Sequence, residues 1–280
     1  MKLAKMLIAG LGAIALSVAA MGAAQADGKL QEVLARGKLI VGTGSTNPPW
    51  HFQDESGNLA GFDIDIGHII AKGLFNDPSK VEFVTQSSDA RIPNITTGQV
   101  DITCQAMTVT APRAQQVAFT VPYYREGVGL LLMKGGKYAD FAALKAAGAD
   151  ATISVLQNVY AEDMVHQALP QAKVDQYDSV DLMYQALNSG RAAAAATDMS
   201  SLRWFMKKNG DRYVDAGYGW NPQTYSCAVK QGDQDWLNFV NTALREAMTG
   251  VDFADYKKSF ETWFGETPPE PKPGFPAEMR

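Results

Sequence analysis

Two stretches of the chain follow one plan. Residues 91–108 (RIPNITTGQVDITCQAMT) and 183–200 (MYQALNSGRAAAAATDMS) each read as a helix, a glycine, one polar residue and then a strand. Laying Gly98 on Gly190 places Ala106 on Asp198 and Thr108 on Ser200. A βα unit that occurs twice predicts two similar lobes, each presenting the end of the equivalent strand to the same place. In open α/β sheets ligands bind beyond the carboxyl ends of strands.

The rest of the pattern agrees with an α/β chain. Residues 38–43 (KLIVGT) read as a strand and 62–74 as a helix with Phe62, Ile66, Ile69 and Ile70 on one side. A strand over 81–85, a helix over 89–97 stopped by Gly98, and a strand over 100–107 follow. Alternating strands and helices predict parallel sheets. Residues 131–137 (LLMKGGK) and 222–230 (PQTYSCAVK) read as two crossings between lobes. They divide the chain into a first lobe of 27–130 plus 226–265 and a second of 131–225. Residues 266–280 carry a run of prolines without periodicity and read as an extended tail. The aromatics Trp236, Phe239, Phe253, Tyr256, Phe260, Trp263 and Phe264 recur at helical spacing and are expected in the core.

The first 26 residues stand apart. Two lysines precede an uncharged run (LIAGLGAIALSVAA), and Ala24-Gln25-Ala26 supplies small residues at a cleavage site. This is the layout of a secretory signal peptide. The run falls short of the roughly 20 apolar residues that span a bilayer. Export to the periplasm is therefore expected. There, Cys104 and Cys227 would meet an oxidising compartment, where two thiols are commonly bonded; two separate buried cysteines are the alternative. The formal charge is −5, so no basic face invites nucleic acid. His51, His68 and His166 lack metal-ligand spacing and are expected in core or surface roles. With no G-x-G-x-x-G, G-x-S-x-G or Walker pattern, no cofactor is expected.

Two positions could hold charge for a ligand. Residues 108–113 (TVTAPR) lie between a strand and a helix, with Thr110 as N-cap and Pro112 in the first turn. Backbone N–H groups there attract anions, Arg113 adds a planar fork for a carboxylate, and Thr108 adds a hydroxyl. The plain alternative is a surface arginine on a capped helix. Asp198 ends an alanine-rich strand (AAAAATD), where an acid is costly to desolvate without a cation or donors. It either accepts a ligand ammonium or caps the helix that begins at Met199.

An ordered set of segments now places the chain in a family. Residues 41–66 (VGTGSTNPPWHFQDESGNLAGFDIDI), 97–102 (TGQVDI), 107–114 (MTVTAPRA), 119–124 (FTVPYY) and 193–198 (AAAATD) resemble the family 3 extracellular solute-binding proteins. These are periplasmic receptors for polar amino acids that serve the membrane permeases of ABC transporters. The resemblance implies a type II periplasmic-binding-protein fold, with two α/β lobes, two hinge strands and a ligand cleft between them. It implies Arg113 and Thr108 at the α-carboxylate of an amino acid, Asp198 at its α-ammonium, and Trp50 at the aromatic after the paired prolines. Ala106, Asn158 and Tyr160 fall at further ligand-contact positions, and a monomer is expected.

Departures from the family pattern bear on the ligand. Gly44 stands where receptors for basic amino acids carry an aspartate, and Asn47 and Ser88 stand where an aromatic often flanks the ligand. Asn158-Val159-Tyr160 replaces the usual Gly-[Ser/Thr]-Thr of the second lobe. A cationic side chain finds no partner in this set, so a neutral or acidic one is expected. Cys104, Cys227 and the sequence Arg91-Ile92-Pro93 match positions in some glutamate/aspartate receptors, where the cysteines pair. Arg91 or Arg125 would supply the cation for an acidic side chain. A second reading is an exported cyclohexadienyl (arogenate/prephenate) dehydratase on the same scaffold. It would need an acid at the leaving hydroxyl, for which Glu126, Glu162 and Asp163 are available.

Overall fold

The computed structural model describes residues 28–274; the leader expected at 1–26 and the end of the tail lie outside the described residues. Two sheets carry the molecule. In the first, the strands run in the order Val81–Thr85, Leu39–Thr43, Ile102–Thr103, Ala228–Val229 and Ala118–Phe119. The second has the order Lys173–Tyr177, Thr152–Leu156, Ala194–Asp198, Tyr124–Met133 and Tyr213–Asp215. Each begins with three parallel strands and continues with an antiparallel one. The repeat therefore reflects the architecture: Ile102–Thr103 and Ala194–Asp198 hold the same place in their sheets. Gly98 and Gly190 end or follow the preceding helices at φ 79° and 75°, a left-handed conformation that favours glycine.

Apolar alternation explains how each sheet buries its faces. Along Tyr124–Met133, Val128, Leu130 and Leu132 face one cluster with Ile153 and Val155. Leu131 faces another with Met183, Tyr184, Leu187 and Leu202. This period of two buries a strand on both sides. In the first lobe, Leu39, Val41, Phe62, Ile66 and Ile70 pack with Trp236, Val240 and Leu244. The helices Gln234–Thr249 and Phe253–Phe264 thus belong to the first lobe, and their aromatics line its core as expected.

Two expectations are corrected. Residues 131–133 do not form a crossing, because Tyr124–Met133 pairs wholly within the second sheet, with Leu131 opposite Ala195 and Met133 opposite Tyr213. The chain leaves the first lobe just before Tyr124, where the Tyr123 N–H donates to the Tyr225 carbonyl at 2.9 Å. The returning strand, Trp220–Tyr225, pairs antiparallel with it and completes the hinge. Second, the strand expected over 100–107 is only Ile102–Thr103. Ala106 takes φ 43° and turns the chain aside, its N–H donating to Asp63 Oδ2 at 2.8 Å. Beside that turn Cys104 and Cys227 are bonded, joining the two adjacent strands of the first sheet.

Candidate functional site

One cavity of about 710 Å³ lies between the lobes, walled by the strand ends of both sheets. It brings together Thr108, Arg113, Ala106 and Arg91 from the first lobe with Asn158, Tyr160 and Asp198 from the second. Seven residues picked out in the sequence thus meet in one place, though they span positions 91 to 198.

Arg113 is held by its own loop. Thr110 caps the short helix Ala111–Ala114, its hydroxyl accepting from the Arg113 N–H at 3.4 Å, and Nη1 of Arg113 donates to the Thr108 carbonyl at 2.9 Å. Across the cleft the Tyr160 ring lies 5.2 Å from the guanidinium carbon. The Thr108 hydroxyl donates to Gln223 Oε1 at 3.0 Å, tying the site to the hinge strand. Burial lowers the Arg113 pKa. Arg91 is also buried and sits lower still, at about 10, through desolvation and repulsion from Arg113. Its guanidinium donates to the carbonyls of Ser88 and Gln105, at 2.8 and 3.2 Å. Among the described residues neither arginine forms an ion pair.

Asp198 stands at the N-cap position of the helix Met199–Asn209, but its side chain makes no capping bond. Instead Oδ1 accepts from the Tyr225 hydroxyl at 2.5 Å. Desolvation raises its pKa despite this bond. Glu126 lies behind it on the hinge strand and is pushed up to about 7, first by burial and then by Asp198. Both ends of the site therefore hold charges that burial disfavours, positive on the first lobe and negative on the second. An incoming group of opposite charge relieves each.

Three placements differ from expectation. Trp50 does not reach the cavity: it is fully buried against Phe62, Tyr124, Tyr225 and Phe264, and its indole N–H donates to Ser200 Oγ across the lobes. An aromatic of that size beside two prolines fills the core next to the hinge. Asn158 lines the cavity, but its amide is spent on its own loop, accepting from the Tyr160 N–H at 3.0 Å and donating to the Leu156 carbonyl at 3.1 Å. His51 is more than a core histidine. It lines the cavity together with Asn47 and Ser88, which the family pattern had placed beside the ligand, and with Gln105, Gln223 and Tyr225, which carried no local signal. Of the three acids considered for catalysis, Asp163 alone faces the cavity.

Two α/β lobes, joined by an antiparallel strand pair with a cavity between them, define the type II periplasmic binding proteins. Within that class, residues 39–266 match the family model of the bacterial extracellular solute-binding proteins, family 3, and the chain belongs to that family. It is 27% identical to the ABC transporter glutamine-binding protein GlnH of Bacillus subtilis, over 77% of this chain and 76% of that one. It is 28% identical to the L-cystine-binding protein TcyJ of Escherichia coli K12, over 85% and 87%. Among solved structures it resembles the ancestral amino acid-binding protein AncCDT-1, a precursor of cyclohexadienyl dehydratase. There the TM-score is 0.75, with 32% identity over 84% of this chain and 99% of that chain.

Proposed function

We propose that the protein is the periplasmic receptor of an ABC importer, carrying a polar L-amino acid with a neutral or acidic side chain to its membrane permease. One observation carries the reading: Arg113 on the first lobe and Asp198 on the second face one cavity, each with its charge disfavoured by burial. A zwitterion satisfies both at once, its carboxylate on Arg113 and its ammonium on Asp198. Because the two groups sit on different lobes, a ligand that bridges them stabilises the closed form over the open one. Relatives named for glutamine and cystine support an amino acid as the ligand. Arg91 and Arg125 in the same wall oppose a cationic side chain. The leader at 1–26 fits export, and the receptor acts as a monomer.

A thermal-shift screen of the twenty amino acids tests this. A ligand at 100 times its Kd stabilises the protein by about 2.7 kcal/mol. Arg113→Ala and Asp198→Ala each remove that shift while leaving the unliganded protein folded; a normal response in either variant overturns its assigned role. The dehydratase reading draws on Asp163 in the wall and on the likeness to AncCDT-1. A binding protein forms no phenylpyruvate from prephenate, and its appearance decides for the enzyme.

A further inference from the structure

The returning hinge strand carries two side chains that connect the two ends of the site. Its register breaks between Trp220 and Gln223: three residue steps there oppose the two steps from Val128 to Glu126. Asn221 takes φ 52° at the break, next to Pro222, which has no N–H to give the ladder. Such a bulge re-aims the residues that follow it. Gln223 and Tyr225 come next, two apart and so on one face of the strand, and both line the cavity.

Three hydrogen bonds run through them in series. The Thr108 hydroxyl donates to Gln223 Oε1 at 3.0 Å, Gln223 Nε2 donates to the Tyr225 hydroxyl at 3.3 Å, and that hydroxyl donates to Asp198 Oδ1 at 2.5 Å. Their direction is forced from the acid end. An ionised carboxylate only accepts, which commits the single Tyr225 proton to Asp198. The phenolic oxygen is left to accept, so the Gln223 amide turns its N–H toward it and its oxygen toward Thr108. The series begins beside Arg113, which donates to the Thr108 carbonyl, and ends on the acid of the opposite lobe. Gln223 Oε1 stands between these ends, and among the described residues Thr108 is its only donor.

Thr108 has one hydroxyl proton. A ligand carboxylate held by Arg113 competes for it with the Gln223 oxygen, and a hydrogen bond to a charged acceptor is roughly twice as strong as one to a neutral acceptor. Thr108 then turns to the ligand, and Oε1 loses its donor in a wall that the ligand covers. An acceptor stranded in that way is costly. The α-ammonium sits one carbon from the α-carboxylate and has N–H groups beyond the one that Asp198 takes. We infer that Gln223 exchanges partners on binding: its Oε1 passes from the Thr108 hydroxyl to the α-ammonium of the ligand, as a second acceptor for that group beside Asp198. This rests on the amino-acid receptor reading above. It also makes the two ends of the site depend on each other. A ligand with a carboxylate but no ammonium takes the Thr108 proton and leaves Oε1 unpaired, so it is selected against.

The test is calorimetric titration of the full-length exported protein with whichever of the twenty amino acids stabilises the wild type most in the thermal-shift screen. Gln223→Met keeps the length of the side chain and removes both polar ends. It should bind that amino acid about tenfold or more weakly, since a hydrogen bond to a charged group is lost. Gln223→Glu keeps an acceptor oxygen and removes the N–H that serves Tyr225, and it should recover most of the lost affinity. If Gln223 served only to prop Tyr225, Gln223→Glu would fail as badly as Gln223→Met. Unchanged affinity in Gln223→Met, or equal losses in the two variants, overturns the role of Gln223 and leaves the receptor reading standing. Where Gln223→Met does not fold, Gln223→Glu decides alone: affinity near the wild type's supports the acceptor role, and a loss of about tenfold overturns it. Binding of no amino acid by the wild type overturns both readings.

Discussion

At the residue scale the site is a set of charges placed where water can no longer stabilise them. Glu126 shows the consequence most directly. Its pKa rises from 4.5 to about 7 in the folded protein, through burial and then Asp198. Between those values the folded protein keeps a proton that the unfolded chain has released, so stability is fully present below about 4.5 and declines as pH rises toward 7. The loss is on the order of 3 kcal/mol, since each pKa unit is worth about 1.4. Glu126→Gln removes the dependence: its melting temperature should equal the wild type's at about pH 5 and exceed it at about pH 8. Parallel curves for the two proteins would show that Glu126 is not the titrating group. For Asp198 the raised pKa has the opposite functional sign. Ligand affinity drops in acid, as the carboxylate that would hold the ammonium protonates. That Arg113 and Asp198 line the cavity fits their places at junctions of strand and helix, but those junctions alone left a surface arginine and a helix cap equally open. The place of His51 on the cavity wall was not legible, because it depends on Asp63, Gly44 and Gln105, which reach it only through folding.

At the element scale, the paired βα units read correctly because hydrophobic period and glycine stops are local signals. The helix expected over 62–74 is Phe62–Phe75, and the strand over 81–85 is Val81–Thr85. The first hinge crossing was misplaced for a physical reason. An apolar strand such as Tyr124–Met133 pairs equally well at either end of an apolar run, and nothing local marks the sheet it joins. The disulfide acts at this scale too. It closes a separation of 123 residues that contains the whole second lobe, yet both its ends lie in the first. Chain entropy for so long a loop gives on the order of 4–5 kcal/mol, reduced in practice by strain and residual structure. The double variant Cys104→Ser/Cys227→Ser should melt roughly 5–15 °C lower. Its ligand-induced shift should persist, since the bond spans one lobe and leaves the hinge free. Loss of ligand response without loss of stability would contradict that separation.

For the molecule as a whole, the lobes touch beyond the ligand as well. At the cavity wall the Ser201 hydroxyl bonds Asn47 at 3.2 Å, and away from it the Trp50 indole bonds Ser200 at 2.9 Å. Trp204 on the second lobe meets Phe52 and Trp263 of the first, with ring centres 5.9 and 6.0 Å apart. These contacts favour closure independently of the ligand, and an aromatic pair of this kind contributes about 0.5–1.5 kcal/mol. Trp204→Ala should therefore weaken ligand binding by roughly threefold to tenfold without touching the cavity, read by calorimetry. An unchanged Kd would mean that these rings contribute nothing to closure.

The sequence by itself determined the α/β class and the duplicated unit. Each follows from signals carried within a few neighbouring residues: hydrophobic period, caps and glycine stops. Tertiary structure alone decided that Trp50 supports the core beside the hinge, that Tyr124–Met133 belongs to the second lobe, and that His51 reaches the cavity. Those outcomes depend on which surfaces meet when distant segments fold against one another, and in this chain His51 and Asp198 come together across 147 positions of sequence only because the hinge folds one lobe over the other.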